Sequence, residues 1–316
     1  MRRFILSQEI IVLGSINMDL VVRAPRLPRL GETILGGEFQ TFPGGKGANQ
    51  AVACARLGGR VRMIGKVGED AFGKTLVAGI AQDGVDVSAV EVDSAAATGV
   101  AFITVTHSGD NAIVVAPGAN GRVTAEDVLR WEGLFANASV LVLQLECPLS
   151  AVEKAIEIAQ AYSVRVVLNP APAQTLPDKL LQSVDTLIPN ETELALLTGE
   201  SELKAGIERI RKTGVRNLVV TLGEKGAVLA SGEQQVRVPA YSVQAVDTTA
   251  AGDAFVGAYA VAVCEGKSAQ EAAQWGVAAG ALAVTKAGAQ PSLPHREELM
   301  QFIHRHPAGE IVPFEG

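Results

Sequence analysis

Six short apolar runs, each ending in polar or small residues, restrict this chain more than any other feature. They lie at 9–14 (EIIVLG), 61–67, 139–145, 164–168, 186–189 and 217–221, with helical stretches at 72–82, 124–137, 150–162 and 203–213 between them. Runs this apolar leave no wet face. A strand followed by a helix returns to the same sheet in parallel, so the alternation predicts a mainly parallel central sheet with helices on both faces. That is an α/β fold, a three-layer αβα sandwich of Rossmann-like type. No linker or low-complexity stretch divides the chain, so residues 1–316 are expected to form a single α/β domain. Aromatic residues make up only 4% while hydrophobic residues reach 48%, which requires the helices to pack closely through Ala and Val.

Two pairs of extended stretches fall outside this alternation. Residues 20–22 and 32–41 are separated by Pro25, Pro28 and Gly31, and 98–106 and 112–116 form a hairpin across His107-Ser108-Gly109-Asp110-Asn111. They predict a small separate antiparallel sheet, built from about 18–43 and 97–117, inserted in the main domain and able to act as a lid.

The richest local signal is Val246-Asp247-Thr248-Thr249-Ala250-Ala251-Gly252-Asp253-Ala254-Phe255. Residues 236–246 read as extended chain leading in, and the small apolar residues of 254–264 as a buried helix. In the turn between them, small residues leave the first-turn N–H groups uncovered at the positive end of the helix dipole. Such a helix start is an anion site. Asp253 is the only acid between Asp247 and Glu265, and it would repel a bound phosphate. It is therefore either a helix-capping acid or a group placed to take a proton.

Earlier, Pro43-Gly44-Gly45-Lys46-Gly47-Ala48-Asn49-Gln50 runs into a helix at 51–57. Adjacent glycines let backbone approach a ligand closely, and Lys46 and Asn49 can bond hydroxyls, although packing alone also accounts for such a turn. Polar residues recur at the carboxyl ends of strands, where open α/β sheets bind ligands: Asn17, Asp19, Glu146, Asn190, Glu193 and Thr221. With Asp253 they outline a cleft that holds an anion site together with acids and amides suited to a polyhydroxyl ligand. Phosphoryl transfer needs a metal near the phosphates, stabilisation of negative charge and a base for the attacking hydroxyl, and these residues are compatible with it.

Other function classes find less support. Gly68-Glu69-Asp70-Ala71-Phe72-Gly73-Lys74-Thr75 matches the P-loop pattern and lies between a strand and a helix. Yet Glu69 and Asp70 would place two carboxylates where phosphate must sit, so we read an acidic strand-to-helix turn. Gly14-Ser15-Ile16-Asn17 after the first strand is not the dinucleotide fingerprint. The net charge of −7, with no basic run beyond Arg2-Arg3, gives nucleic acid no footprint. Cys54, Cys147 and Cys264 are odd in number, far apart and in apolar surroundings, as free thiols in a reducing compartment would be. With no signal peptide and no apolar run long enough for a bilayer, a soluble cytoplasmic protein is expected, with neither membrane nor nucleic-acid partner.

Gly44-Gly45-Lys46-Gly47-Ala48-Asn49-Gln50-Ala51 and Asp247-Thr248-Thr249-Ala250-Ala251-Gly252-Asp253, with Asn190-Glu191-Thr192-Glu193 between them, resemble the signatures of the ribokinase (PfkB-type) family of sugar kinases. That family also includes fructokinases and adenosine kinase, and the likeness runs from about Ile11 to Phe302. The resemblance implies ATP-dependent phosphorylation of the ribose 5-hydroxyl. Asp253 would be the base, and the backbone N–H groups of Ala250, Ala251 and Gly252 the anion hole. Asn17, Asp19, Gly45, Lys46, Asn49 and Glu146 would hold the sugar, with Asp253. Asn190, Thr221, Gly223, Gly226 and Gly252 would hold ATP, and Glu193 would act near Mg2+ through water. Ribokinases are also activated by a monovalent cation, usually K+, and the matching positions are Asp247, Thr249, Ala283, Lys286, Gly288 and Ser292, several through backbone carbonyls. The small sheet would be a lid that pairs with a second subunit's lid in a homodimer. Many relatives carry Gly at the position of Ala250, where ribokinases often carry Ala.

Two alternatives stay open. A sister kinase could act on another sugar or a nucleoside, but a nucleoside needs an apolar slot, and the lid stretches offer little beyond Phe39, Phe42 and Phe102. A binding module of the same fold would have lost its chemistry, against which the intact Asp253 turn stands.

Overall fold

The computed structural model describes residues 9–108, 110–306 and 309–315. The chain starts with β1 (Glu9–Leu13), leaves the main sheet for β2 (Asn17–Ala24) and β3 (Phe39–Gly44), and returns through α1 (Lys46–Arg56) to β4 (Arg60–Gly68), α2 (Ala71–Gln82) and β5 (Asp86–Asp93). After a second excursion through β6 (Gly99–Thr106) and β7 (Asn111–Ala116) come α3 (Ala125–Arg130), β8 (Ala138–Leu143), α4 (Leu149–Ala161), β9 (Arg165–Leu168), α5 (Asp178–Leu181) and β10 (Thr186–Leu187). Then follow α6 (Glu191–Thr198), α7 (Leu203–Arg211), β11 (Asn217–Thr221), β12 (Ala227–Ser231) and β13 (Gln234–Val238). Helices α8 (Ala251–Cys264), α9 (Ala269–Ala283) and α10 (Arg296–Arg305) and the short β14 (Val312–Pro313) complete the chain.

The main sheet has the order β14-β13-β12-β11-β10-β9-β8-β1-β4-β5. Neighbours from β11 to β5 run parallel, and β12, β13 and β14 add an antiparallel edge. Because β1 is flanked by β4 on one side and β8 on the other, the winding direction reverses beside it. Ligands of open α/β sheets bind at this kind of switch point.

Strand periodicity builds the two covered faces. Ile10 and Val12 of β1, with Val140 and Val142 of β8, pack under α1, α2, α8, α9 and α10. Ile11, Leu13, Leu141 and Leu143 face the other way, under α3 to α7. All five residues of β1 are buried. The expected three-layer αβα architecture is therefore present, with α8 buried inside it from Asp253 to Cys264. The cysteines are free and buried, and among the described residues no helix is long and apolar enough to cross a membrane.

The small sheet has the order β3-β2-β6-β7. Its β2/β3 and β6/β7 pairs are antiparallel as expected, but the central β2/β6 seam is parallel, with Asn17 opposite Gly99. A seam between segments this far apart in sequence has no local signature. Within 32–41 regular strand begins only at Phe39 and runs on into the glycine turn. The stretch before it is instead organised by Glu32, which accepts from the Arg29 N–H and from Arg26. The helix expected at 124–137 breaks at Trp131 into α3 and a 3-10 turn, Glu132–Asn137. The extended lead-in ends at Val238. β5 was not anticipated, because its acids hide the strand pattern: Asp86, Glu91 and Asp93 pair with Arg62, Arg130 and Arg122.

Candidate active site

A helix crossing sets the centre of the site. A Cβ built on Gly257 of α8 would lie 2.5 Å from Ala53 Cβ of α1, so only glycine permits this approach. One turn earlier on each helix stand Asp253 and Asn49, which the same crossing brings together. Asn49 Nδ2 donates to Asp253 Oδ2 at 2.9 Å, and Gln50 Nε2 donates to Asp253 Oδ1 at 2.9 Å. The carboxylate is 7% exposed. Burial pushes its pKa up, against Lys46 and the two amide donors, with Glu146 adding to the rise. A raised carboxylate is better matched to accepting a proton. Asn49 Oδ1 is buried without a partner. Since the donor end of that amide must face the carboxylate, its carbonyl end is left for a hydroxyl from outside the chain.

The sugar-side candidates gather at the switch point. Ser15 Oγ and, at 3.0 Å, Lys46 N both donate to Glu146 Oε2, so Glu146 clamps the start of α1 to the end of β1. A carboxylate is favoured there by the helix dipole. The neighbouring glycines serve the chain's own packing as well. Gly45 has φ 88° and a Cβ on it would meet Asn17 N at 2.7 Å, while one on Gly47 would meet Gly14 C at 2.5 Å. Asn17 is buried, and its Oδ1 accepts from Asn120 Nδ2 at 2.7 Å. Asn120 in turn grips both backbone groups of Ile16, at 2.9 and 3.2 Å. Asn17 therefore has its Nδ2 group left to offer. Asp19 lies against Gly44, where a Cβ would come within 2.3 Å of its Oδ2.

The cleft is strongly anionic. Burial acts to lower Lys46, but Asp253, Glu146, Glu193 and Asp19 together hold it above the ordinary lysine value. Four carboxylates around one ammonium leave the cleft short of positive charge. Asp19 shows the strain: burial first, then Glu146 and Asp253, push it up to about 7 while Lys46 opposes. Burial likewise raises Glu193, opposed by the Asn190 N–H and Lys46, with Asp253 adding to the rise.

At the start of α8, Ala250 adopts φ 59°, ψ 8°, and no side chain caps the helix. A Cβ built on Gly252 meets nothing within 4 Å, so the space before the first turn is open. Asp247 ties this turn to the loop after α9. Its Oδ1 accepts from Thr249 N at 2.9 Å and Thr249 Oγ1 at 2.6 Å, and its Oδ2 accepts from Gly288 N at 2.9 Å. Burial works to raise Asp247, but these bonds and the charge of Arg23 hold it below the usual carboxylate range. In the same loop the Ala283 carbonyl accepts from Lys286 N at 3.1 Å, and the buried Ser292 Oγ donates to the Ala289 carbonyl at 2.8 Å. Lys286 Nζ is engaged by Glu298 at 2.7 Å, which leaves only its backbone to face the turn.

The remaining candidates lie at the ends of β10 and β11. Asn190 and Glu193 form a reciprocal capping box at the start of α6, at 2.7 and 2.8 Å. Asn190 bridges to Thr221. Gly226, at φ 92°, could not bear a side chain, since a Cβ would lie 2.1 Å from the Val238 carbonyl oxygen, whereas Gly223 faces open space. β8 and β11 are three strand spacings apart, roughly 14 Å. Glu193 nevertheless acts on both Lys46 and Asp253, so the two halves share one cleft.

The P-loop look-alike is filled by the chain itself. Asp70 accepts from Gly73 N of the loop at 2.8 Å and from Thr98 N at 2.8 Å and Thr98 Oγ1 at 2.7 Å, so its carboxylate caps α2 and ties the turn to the chain just before β6. The sequence reading passed over Gln50, Gln144, Asn120 and Asn169. Gln50 stood inside the quoted glycine motif, and Gln144 is a polar residue in an otherwise apolar strand run, which was a usable signal. Asn169 follows a strand at its carboxyl end and so carried the signal used for the other candidates, while Asn120 carried none beyond its type.

Over residues 7–296 the chain matches the pfkB family of carbohydrate kinases. It is 44% identical over 304 residues to a ribokinase of Haemophilus influenzae, covering 94% of this chain and 99% of that one. It is 37% identical over 301 residues to a deoxyribokinase of Salmonella typhi, covering 93% and 98%. Among solved structures, the ribokinase of Arabidopsis thaliana complexed with ribose and ATP superposes with a TM-score of 0.85 at 35% identity, covering 93% of this chain and 98% of that one.

Proposed function

This chain belongs to the pfkB family of carbohydrate kinases, and from that premise we propose that it transfers the γ-phosphoryl group of ATP to the 5-hydroxyl of D-ribose. The observation that carries the reading is the placing of a desolvated carboxylate, Asp253, in the first turn of an uncapped helix that opens on empty space at Gly252. A base and an anion site in one turn are what phosphoryl transfer to a hydroxyl requires.

In this mechanism the sugar lies at the switch point. The unpartnered Asn49 Oδ1, Asp19 and Glu146 accept from ring hydroxyls, while Lys46, Asn17 Nδ2 and the backbone at Gly45 complete the pocket. Asp253 takes the proton from O5 as O5 bonds to the γ-phosphorus. The bond from that phosphorus to the β–γ bridging oxygen breaks, and its electron pair leaves on ADP. Backbone N–H groups of Ala250 and Gly252, with that of Ala251, which in this structure donates to the Thr248 carbonyl at 3.3 Å, and the α8 dipole meet the charge on the transferring group; one such donor is worth roughly 10²–10³ in kcat. Asn190, Thr221, Gly223, Gly226 and Gly252 hold the nucleotide.

The residues fit two cations. Glu193 commits Oε2 to its capping box and keeps Oε1 free, in a cleft with excess carboxylate, so it suits Mg2+ held through water. Mg2+ would neutralise phosphate charge there. Asp247, which ties Thr249 to Gly288, would hold K+ together with Thr249, Ser292 and the carbonyls of Ala283, Lys286 and Gly288, and the ion would steady the turn at Ala250. The small sheet serves as the lid. The exposed apolar residues Phe39, Phe102 and Val114, which the strand register sets on one face of it, support pairing with a second lid in a homodimer. The buried free thiols fit a cytoplasmic setting.

A second reading, deoxyribose as acceptor, is favoured by the deoxyribokinase relative. One experiment separates the two: ADP release with Mg2+, with and without K+, against ribose, deoxyribose, fructose, adenosine and no sugar, with Asp253→Ala alongside. We expect turnover with ribose, stimulation by K+ and near-complete loss in the variant. A preference for deoxyribose moves the sugar assignment, and full activity of Asp253→Ala refutes the mechanism.

A further inference from the structure

We propose that Gln50 is a positioning residue for Asp253, set by a one-way chain of amides that starts on a backbone carbonyl and ends on the carboxylate. The inference rests on the reading of Asp253 as the base. Asn169 Nδ2 donates to the Ile188 carbonyl oxygen at 2.9 Å. A backbone carbonyl only accepts, so the Asn169 amide has one orientation, with Oδ1 toward Gln50. Gln50 must then turn its Nε2 group to that side. One hydrogen goes to Asn169 Oδ1 at 3.2 Å and the other to Asp253 Oδ1 at 2.9 Å. Gln144 Nε2 closes the set by donating to Gln50 Oε1 at 2.6 Å.

Every polar atom of the Gln50 amide is therefore engaged. Flipping it would set its oxygen against the Asn169 and Asp253 oxygens, whereas Gln144, whose Oε1 has no partner, takes its orientation from Gln50. Gln50 and Gln144 are almost wholly buried, so no water can repair a flipped state. The demand reaches back to the first strand: a Cβ on Gly14 would lie 2.0 Å from Gln144 Oε1, so the glycine after β1 makes room for this network. The chain can only donate to Asp253, which favours the carboxylate form needed to accept a proton. It also occupies Oδ1 and leaves Oδ2 on the side of Asn49, whose unpartnered Oδ1 marks where a ligand belongs. Amides do not titrate, so the device holds its direction across the working pH range. The ends of β8, β9 and β10 thus converge through α1 on one carboxylate.

The test uses Gln50→Met, which keeps length and bulk without a donor, and Asn169→Ala, which leaves Gln50 in place but frees it to rotate. Lys46, Glu146, Asp19 and Glu193, the charged groups facing Asp253 from the surrounding elements, are untouched in both. For Gln50→Met we expect kcat to fall about ten- to a hundredfold, from loss of a hydrogen bond to a charged group. The KM for ribose should stay within about twofold, and the acid limb of the kcat profile should move up by about one pH unit. Asn169→Ala should move both kcat and the limb the same way by less. A fall in kcat with an unmoved acid limb, or a rise in KM with unchanged kcat, overturns the inference. If Gln50→Met does not fold, Asn169→Ala decides alone. Asp253→Asn runs alongside: if it stays active, the base reading fails whatever Gln50 does. If it is inactive while Gln50→Met behaves as wild type, only the positioning role fails.

Discussion

Replacing Asp19 by asparagine should change how stability depends on pH, and by an amount the cleft itself sets. Burial first, then Glu146 and Asp253, raise this carboxyl to about 7, with Lys46 opposing. In the unfolded chain it titrates near 4. Because the folded value is the higher one, the native protein holds a proton that the unfolded chain has already lost between those limits. Stability must then decline as pH rises from about 4 to about 7 and level off above. The whole decline spans about three pH units, or about 4 kcal/mol. About 2 kcal/mol of it falls between pH 5.5 and 8. Asp19→Asn has nearly the same shape and cannot ionise, so it escapes this loss. In the absence of sugar, the melting temperature of the variant minus that of the wild type should grow by about 3 °C from pH 5.5 to pH 8 for a chain of this size. Calorimetric melts at both pH values and one ionic strength read this double difference, in which other titrating groups largely cancel. A difference that stays constant with pH refutes the reasoning. Saturating ribose should shrink it, since hydroxyls donating to Asp19 stabilise its charged form.

Gly252→Ala places a methyl in space that the protein does not use, so the fold should be unharmed or gain up to about 1 kcal/mol from better helix propensity. Turnover should nevertheless fall at least about tenfold, because the transferring group has to approach that atom; an unchanged kcat/KM for ATP would remove Gly252 from the anion hole. Lys74 stands exposed in the P-loop look-alike whose anion position Asp70 already fills. Lys74→Ala should therefore leave the KM for ATP within about twofold, and a large rise would revive the P-loop reading.

The layers, the parallel core and the turn before α8 were legible because they rest on local signals, namely strand-length apolar runs and small residues at a helix start. The parallel β2/β6 seam was not, since its pairing is settled by where both strands leave the main sheet. Glu146 illustrates a subtler limit. Its position at a strand end pointed to ligand binding, and it does line the cleft, yet one of its oxygens already holds Ser15 and the start of α1. Gln50 shows the converse. It sat in the most informative motif of the chain, but its role comes from partners on three strands that no spacing rule connects. The acids of the P-loop look-alike pointed away from phosphate, and Asp70 is indeed satisfied by the chain itself, by Gly73 N within the turn and by Thr98 beyond it.

The parallel seam also has a mechanical meaning. β2 begins at Asn17, which Asn120 pins to the turn after β7, and β3 ends at Gly44, next to Gly45 and Lys46. If the small sheet tilts, its fulcrum falls at the residues proposed to hold the sugar. From Asn17 to Ala24 the arm is about 23 Å long, and Asp19 lies only about 7 Å along it. A tilt that shifts Asp19 by about 1 Å would carry the far end by about 3.3 Å on these lengths. Whatever grips the sheet near Ala24 or Thr106 therefore applies torque to Asn17 and Asp19 with more than threefold leverage, on the ratio of about 23 to about 7 Å.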